Sequence, residues 1–415
     1  MIEYDNGATV SILMRVSGSV LPGTIPIGIG TFTVGLTLTI LREQTDVMNR
    51  LGEYIFDTFA IRIMAMVIGI LLSFRANLAL NRWMDGISEV QLMLSKWGDA
   101  FIALSGFFTN KKCSPDEQVH ILMFRLRIAH WFSLMSCLAF ATVREKDQKG
   151  LRTLDEIPIV EMFPENPQLR EEGKSFACER NKDLATVDRV QSCANVELSQ
   201  RLRLLVLSAP TAQEIQLLDL AYDKVNCVYF WIIQAISEEV RKGVLDTPPP
   251  IVSRVYQEVS NGKLGFTQAH KVAMVPFPFP FAQMVSILLV VLYLLLPFYI
   301  ELFSRNGYLT PFLCLTIPIG FQGLNAVAVE LEEPFGTDWN DVDIEVRHEE
   351  FLWMLVDVLR QATRPPTSNR AEEKVTEGIV KNCGLIDASV LNYLRRRQNR
   401  KDNLVSLSSS DKSEL

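Results

Sequence analysis

The chain has 415 residues, of which 48% are hydrophobic and 21% charged. That balance excludes a disordered or collagen-like chain. The net charge of −7 argues against general affinity for nucleic acid. The seven cysteines are scattered, odd in number and form no CxxC, which argues against a disulfide framework or a zinc site and fits reduced thiols.

The apolar residues are not spread evenly. Four segments are long and apolar enough to cross a bilayer, which takes about 20 residues each. The first runs from about Val16 to Leu41, is rich in Gly and Thr, and carries Pro22 and Pro26. Such a composition is poor for a soluble helix but tolerated in a membrane one. The second runs from about Ile55 to Leu80, the third from Phe279 to Phe303 and the fourth from Leu309 to Val329. Glu3 and Asp5 stand where a signal peptide would be basic, so no signal peptide is expected, and no Arg/Ser-rich transit peptide is apparent.

Between the second and third spans, three stretches are apolar at helical spacing and interrupted by charge: LMLSKWGDAFIALSGFF, VHILMFRLRIAHWFSLMSCLAF and LLDLAYDKVNCVYFWIIQAISEEV. Lys146 to Asn195 is polar and proline-bearing, and reads as a surface loop with short helices. The TPPP run, Thr247 to Pro250, reads as a helix stop. Strand signals are sparse, so the fold class is all-α. Residues 1–80 hold the first two spans, 81–278 a helical cytosolic domain and 279–329 the third and fourth spans. Residues 330–365 hold an acidic segment and a helix, and 366–415 a polar tail with the basic run Arg395-Arg396-Arg397. An even number of spans puts both termini and the middle domain on one side. The excess of Lys and Arg there makes that side cytosolic or its equivalent.

The second span has two distinct stripes. Ala65, Gly69 and Ser73 form a small-residue seam that lets another helix approach closely. Met66, Ile70 and Phe74 form a bulkier stripe one position on. This suits a ring of identical helices, with the small face against a neighbour and the large face toward an axis. Ordinary packing accounts for the same pattern. Arg62, Arg75 and Arg82 at the span ends line water, pair with acids or snorkel.

Three blocks carry a family resemblance. SFRANLALNRWMDG (Ser73 to Gly86) resembles the Phe-Arg-x-Asn-x-x-x-x-Arg-aromatic pattern that follows the pore helix in bestrophins of bacteria, plants and algae. VPFPFPFAQM (Val275 to Met284) resembles the run that leads into the third span in non-animal eukaryotic members, with Phe281 in place of Tyr. ELEEPFGTDWNDVDIE (Glu330 to Glu345) resembles the acidic segment after the fourth span. The chain is thereby identified as a bestrophin-like anion channel, closer to the plant and algal branch than to the animal one.

The resemblance implies a largely helical homopentamer in a lipid bilayer around a central pore. It assigns an apolar neck to Met66, Ile70 and Phe74, with Met66 a departure from the usual Ile or Leu. It implies a cytosolic aperture at Pro250 or Ile251, and chloride, bicarbonate or nitrate as permeant anions. Arg75 and Arg82 are placed as pore-mouth or structural basic groups. In animal members, two aspartates of the acidic segment bind calcium with main-chain carbonyls. They map onto Asp338 and Asp341, and two carbonyls onto Glu330 and Glu333. An EF-hand does not fit, because Asp343 stands where that loop needs Gly. A helix-start segment that caps and pairs with arginines explains the same acids. Relatives occupy thylakoid or plasma membranes, which leaves the membrane open.

Other constellations are weaker. His120, His130, His270 and His348 lack metal-ligand spacing and read as structural. Glu238-Glu239 and Glu349-Glu350 read as solvated helix faces. No hydrolase, zincin, Walker or dinucleotide motif is found, so an enzyme is not expected. A secondary transporter and a membrane scaffold or receptor remain the alternatives to a channel. Against the transporter stand the lack of an internal repeat and the small number of spans.

Overall fold

The computed structural model describes residue 12 and residues 15–45, 58–108, 114–144, 206–208, 210–245, 247–304, 307–336 and 338–363. The loop expected at Lys146 to Asn195, the polar tail, Ile55 and Asp246 lie outside the described residues. Among the described residues there are nine helices and no strand, as an all-α chain requires. They are α1 (Leu21–Gln44), α2 (Thr58–Phe107), α3 (Pro115–Arg144), α4 (Ala212–Leu220), α5 (Lys224–Arg241), α6 (Pro249–Met274), α7 (Phe279–Ser304), α8 (Leu309–Leu331) and α9 (Ile344–Thr363).

The described residues divide into two compact units. One comprises residues 1–88 and 271–342, the other residues 89–270 and 343–415. Helix α2 has 50 residues, about 75 Å at 1.5 Å per residue, against about 30 Å for a hydrocarbon core. Only part of it spans, and the chain leaves the first unit within it.

The first unit is built on the Gly/Thr pattern of α1. Its buried face is Thr24, Gly28, Thr31, Gly35 and Thr39, spaced to form one stripe. That face lies on α8. A Cβ at Gly28 would meet Ile319 Cγ1 at 2.6 Å, and one at Gly35 would meet Cys314 Sγ at 2.7 Å. Small residues are needed because no larger side chain fits between the helices. The threonine hydroxyls satisfy themselves on their own helix. Thr31 Oγ1 has the Ile27 and Gly28 carbonyls at 3.0 Å and the Cys314 carbonyl of α8 at 2.6 Å, any one of which can take its single proton. At the far end of α1, Thr39 Oγ1 donates to Glu301 Oε2 at 2.8 Å, and Arg42 pairs with Glu301 Oε1 at 2.7 Å. Glu301, buried in α7, is therefore neutralised and hydrogen-bonded, as a carboxylate at that depth must be. The remaining core joins Ile68 and Leu72 of α2 to Val285, Leu289, Leu292, Leu296 and Ile300 of α7.

The second unit is centred on α3. By length and composition alone α3 would qualify as a fifth span, but 83% of its apolar window is buried inside the protein. It is a core helix rather than a lipid-facing one. Phe101 of α2 packs edge-on to Phe132, and Ser136 meets His348 Nδ1 of α9 at 3.0 Å. Gly265 of α6 lets the backbone of α2 come close, since a Cβ there would sit 2.8 Å from the Met93 nitrogen.

The T-x-x-E signal at Thr211 is a complete capping box. Glu214 of this box also accepts from Trp131 Nε1 at 2.5 Å and lies 3.5 Å from His130 Nε2. His130 Nδ1 meets Ser208 Oγ at 2.8 Å. Glu239 corrects the sequence reading. It is fully buried rather than solvated, held by His120 Nε2 at 2.8 Å and Lys242 Nζ at 3.1 Å. Glu349 is also buried, and only Glu350 of that pair is exposed, beside Arg347. The proline run is a second correction. Pro249 and Pro250 open α6, where the amide N–H they lack has no helical partner, and the Pro248 carbonyl accepts the Ile251 N–H at 2.9 Å.

Burial pushes the Glu214 carboxyl up, but the hydrogen bonds and charge of His130, the Trp131 indole and the Thr211 amide outweigh it and hold it down at about 2. Its ordinary value is 4.5, so its contribution to stability is complete above that pH and fades as pH falls toward about 2. Glu214→Gln therefore lowers stability at neutral pH and flattens the acid limb of a pH–unfolding series. An acid limb identical to wild type contradicts this role.

Candidate pore-lining helix and acidic clasp

The residues singled out in the second span lie on α2, and burial divides that helix into opposed faces. Ile68, Leu72, Arg75, Ala79 and Gly86 are buried on one side. Met66, Ile70 and Phe74 lie on the other and are 69%, 63% and 55% exposed. An apolar stripe this exposed needs a covering partner, lipid or a lumen.

Part of the small-residue seam has a neighbour in its own chain, and Ser73 is exposed. Ala65 packs on the core of its own unit. A Cβ at Gly69 would meet Phe321 of α8, in the same chain, at 4.0 Å. At Gly69 the seam therefore borders the fourth span of its own protomer.

Both arginines after the stripe face inward. Arg75 is 3% exposed. Its Nε donates to Glu332 Oε1 at 2.8 Å and its Nη1 to Asn325 Oδ1 at 2.7 Å. Its guanidinium lies 5.5 Å from the Phe277 ring centroid. Arg82 Nη2 donates to the carbonyls of Val272 and Val275, at the C-terminal end of α6, where a cation offsets the helix dipole. Of the two roles given to these arginines, the structural one describes their surroundings.

The VPFPFPF block supports the same helix. Phe281 lies 6.1 Å from Phe74 and 5.7 Å from Phe277, ring centroid to centroid. Phe281 thus backs the last bulky residue of the stripe. The sequence marked it only as a departure from Tyr, and no periodicity links residues so far apart in the chain.

The acidic segment folds as a clasp. Pro334 and Phe335 are buried, and a Cβ at Gly86 would meet Phe335 Cζ at 3.1 Å. The Val342 N–H closes the loop on the Pro334 carbonyl at 2.9 Å. Within it the Asp338 N–H donates to Asp341 Oδ2 at 2.7 Å, and the Asp341 N–H to the Asp338 carbonyl at 3.2 Å. Asn340 Nδ2 donates to Glu330 Oε1 at 2.7 Å and to the Gly18 carbonyl at 3.0 Å. Gly18 has φ +72°, a conformation that favours glycine. Asp338 and Asp341 are thus brought together, Glu330 is tied to the same loop through Asn340, and Glu333 is exposed. Among the described residues no three His, Cys, Asp or Glu side chains gather as a metal site. A metal here would need main-chain carbonyls besides the aspartates.

Pro250 and Ile251 sit in the second unit, exposed at the start of α6. Ile251 lines a cleft of about 430 Å³ with Lys96, Asp99, Ile102, Arg254 and Glu258. Lys96 and Glu258 pair across it at 3.1 Å.

Comparison with known proteins decides the family. The profile described as Bacterial/Fungal Bestrophin protein matches residues 1–349. The chain belongs to the bestrophin family. Bestrophin homologues from Klebsiella pneumoniae share its fold. One covers 80% of this chain and 98% of its own at 15% identity, with a TM-score of 0.56. A variant of that homologue gives 83%, 100%, 14% and 0.58. A voltage-dependent anion channel-forming protein of Mesorhizobium japonicum is 39% identical over 75 residues, 18% of this chain and 24% of that protein. One of Escherichia coli K12 is 33% identical over a stretch of the same length. The chain thus matches about a quarter of the length of these curated relatives. With its apolar helices, this bestrophin is an integral membrane protein.

Lysine cannot reproduce the two-directional guanidinium contact of Arg75. Arg75→Lys is expected to cost about 1–3 kcal/mol of stability, read as a lower unfolding temperature in detergent. An unchanged unfolding temperature contradicts that role.

Proposed function

We propose that this bestrophin is an anion channel, a homopentamer in which five copies of α2 surround the pore. Met66, Ile70 and Phe74 form its neck. The observation that carries this is the exposure of the three side chains, 69%, 63% and 55%, on the face of α2 opposite the buried arginine. An apolar constriction gates by dewetting and passes ions when it widens enough to admit water. Dehydration is costly, so such a neck favours monovalent anions that give up water cheaply. Chloride is the main permeant ion, and nitrate and bicarbonate are the others proposed. Phe74 can offer its positive ring edge to a passing anion, and Phe281 holds that ring in place. Met66, unbranched and flexible, makes one end of the neck compliant. The cytosolic aperture is assigned to Pro250 and Ile251. The bacterial relatives, described as voltage-dependent anion channel-forming proteins, agree with this reading.

Phe74→Ala should raise conductance in planar-bilayer recordings by widening and wetting the neck. Conductance and selectivity equal to wild type contradict a lining role for Phe74.

A calcium site is the second reading, favoured by the turn that brings Asp338 and Asp341 together. Hard oxygen donors suit Ca²⁺. One Asp341 oxygen is spent on the Asp338 N–H and one Glu330 oxygen on Asn340. The carboxylates of Asp338 and Asp341, with the Glu330 and Glu333 carbonyls, are the set that would hold the ion. The ion would supply positive charge to an acidic loop that already pins Gly18 to the end of α8. Calcium is then expected to raise the unfolding temperature over that in chelator, and Asp338→Ala to remove the difference. Equal unfolding temperatures for the wild-type protein contradict the site.

A further inference from the structure

The exposed stripe of α2 does not end at Phe74. It continues at helical spacing through Asn77 and Asn81, both exposed. At 1.5 Å per residue they lie about 4.5 Å and about 10.5 Å beyond Phe74 along the axis. The stripe thus changes from bulky apolar groups to carboxamides within one turn of the last neck residue.

The cations on this part of the helix are Arg75 and Arg82. Both are turned to the opposite face, and both are committed to protein acceptors. An anion that has shed water in an apolar neck would therefore meet amide N–H groups first. The two asparagines are also oriented. Asn81 Nδ2 donates to Asn77 Oδ1 at 3.1 Å. That bond occupies the Asn77 oxygen, which would repel an anion, and leaves its Nδ2 donors directed elsewhere. Among the described residues Asn77 Nδ2 has no protein partner. Asp85, exposed one turn beyond Asn81, is the acid nearest to this pair along α2.

We propose that Asn77, oriented by Asn81, receives the anion as it leaves the neck, and that a ring of neutral amide donors rather than of guanidinium groups sets the preference among monovalent anions. This rests on the pore reading of α2. Neutral donors at a pore suit throughput: they replace part of the lost hydration without the deep well of a fixed charge, and a permeant ion must leave as readily as it enters. Asn77 is a selectivity residue, and Asn81 positions it.

The test is planar-bilayer recording of the full-length channel in asymmetric KCl and in chloride/nitrate mixtures. Asn77→Leu should lower chloride conductance by about tenfold and shift relative permeability toward nitrate, because no donor repays the dehydration of chloride. Asn77→Asp should lower the anion-to-cation permeability ratio by about tenfold or more. Asn81→Ala should shift selectivity in the same direction as Asn77→Leu but less, and should add nothing in the Asn77→Leu background. Phe74→Ala, measured alongside, reads the pore itself. If Phe74→Ala changes conductance while Asn77→Leu and Asn77→Asp behave as wild type, the amide ring is overturned and the pore stands. If none of the three changes the current, the pore reading fails and takes this inference with it. Should Asn77→Leu not assemble, Asn77→Cys with a negatively charged thiol reagent replaces it. Loss of anion current on reaction supports the site, and unaltered current from fully modified protein overturns it.

Discussion

The rotation of α2 about its own axis is fixed by Arg75. A guanidinium buried at 3% exposure must have its charge and donors met. Here Glu332, Asn325 and the Phe277 ring meet them. Turning α2 to bring Met66, Ile70 and Phe74 inward would strip Arg75 of these partners and expose the Ile68–Leu72 face. The exposed stripe is thus the consequence of an interaction on the opposite side of the helix. Arg82 adds a second point of attachment at the end of α6.

Much of the surrounding architecture serves to hold those partners. Glu332 ends α8, and α8 is seated by the glycines and threonines of α1. The acidic clasp ties the end of α8 to the residues before α1 through Asn340 and packs Phe335 under Gly86. The motif Glu-Glu-Pro-Phe-Gly therefore has a packing role whatever ion it binds. Its Pro and Phe are buried, and its glutamates supply the partner of Arg75 and, at Glu333, an exposed acid.

The features legible in the sequence were those with a local period. Four membrane helices and the stripe on α2 follow from composition and spacing, and the order of three short blocks carried the family. Long-range partners were not legible. Glu332 lies far along the chain from Arg75, so the sequence offered both a watery mouth and an internal pair for that arginine, and only the fold distinguishes them. A small-residue stripe does not say whose helix approaches: Gly69 borders Phe321 of the same chain, while Ser73 is exposed. The charges that interrupt α3 kept it out of the spans, although its length and apolar composition alone would qualify it as one. Glu239 was misplaced. Its partners, His120 and Lys242, are themselves exposed, and His120 lies far away in the chain. The TPPP run reads in sequence as a stop, although proline is as compatible with the first turn of the next helix.

The central claim is that α2 lines an anion-conducting pore. Its most direct test is the reversal potential of the purified wild-type protein in planar bilayers under asymmetric KCl. The account predicts unitary currents that reverse near the chloride equilibrium potential. Reversal near the potassium potential, or no current from protein shown to be pentameric, would contradict it.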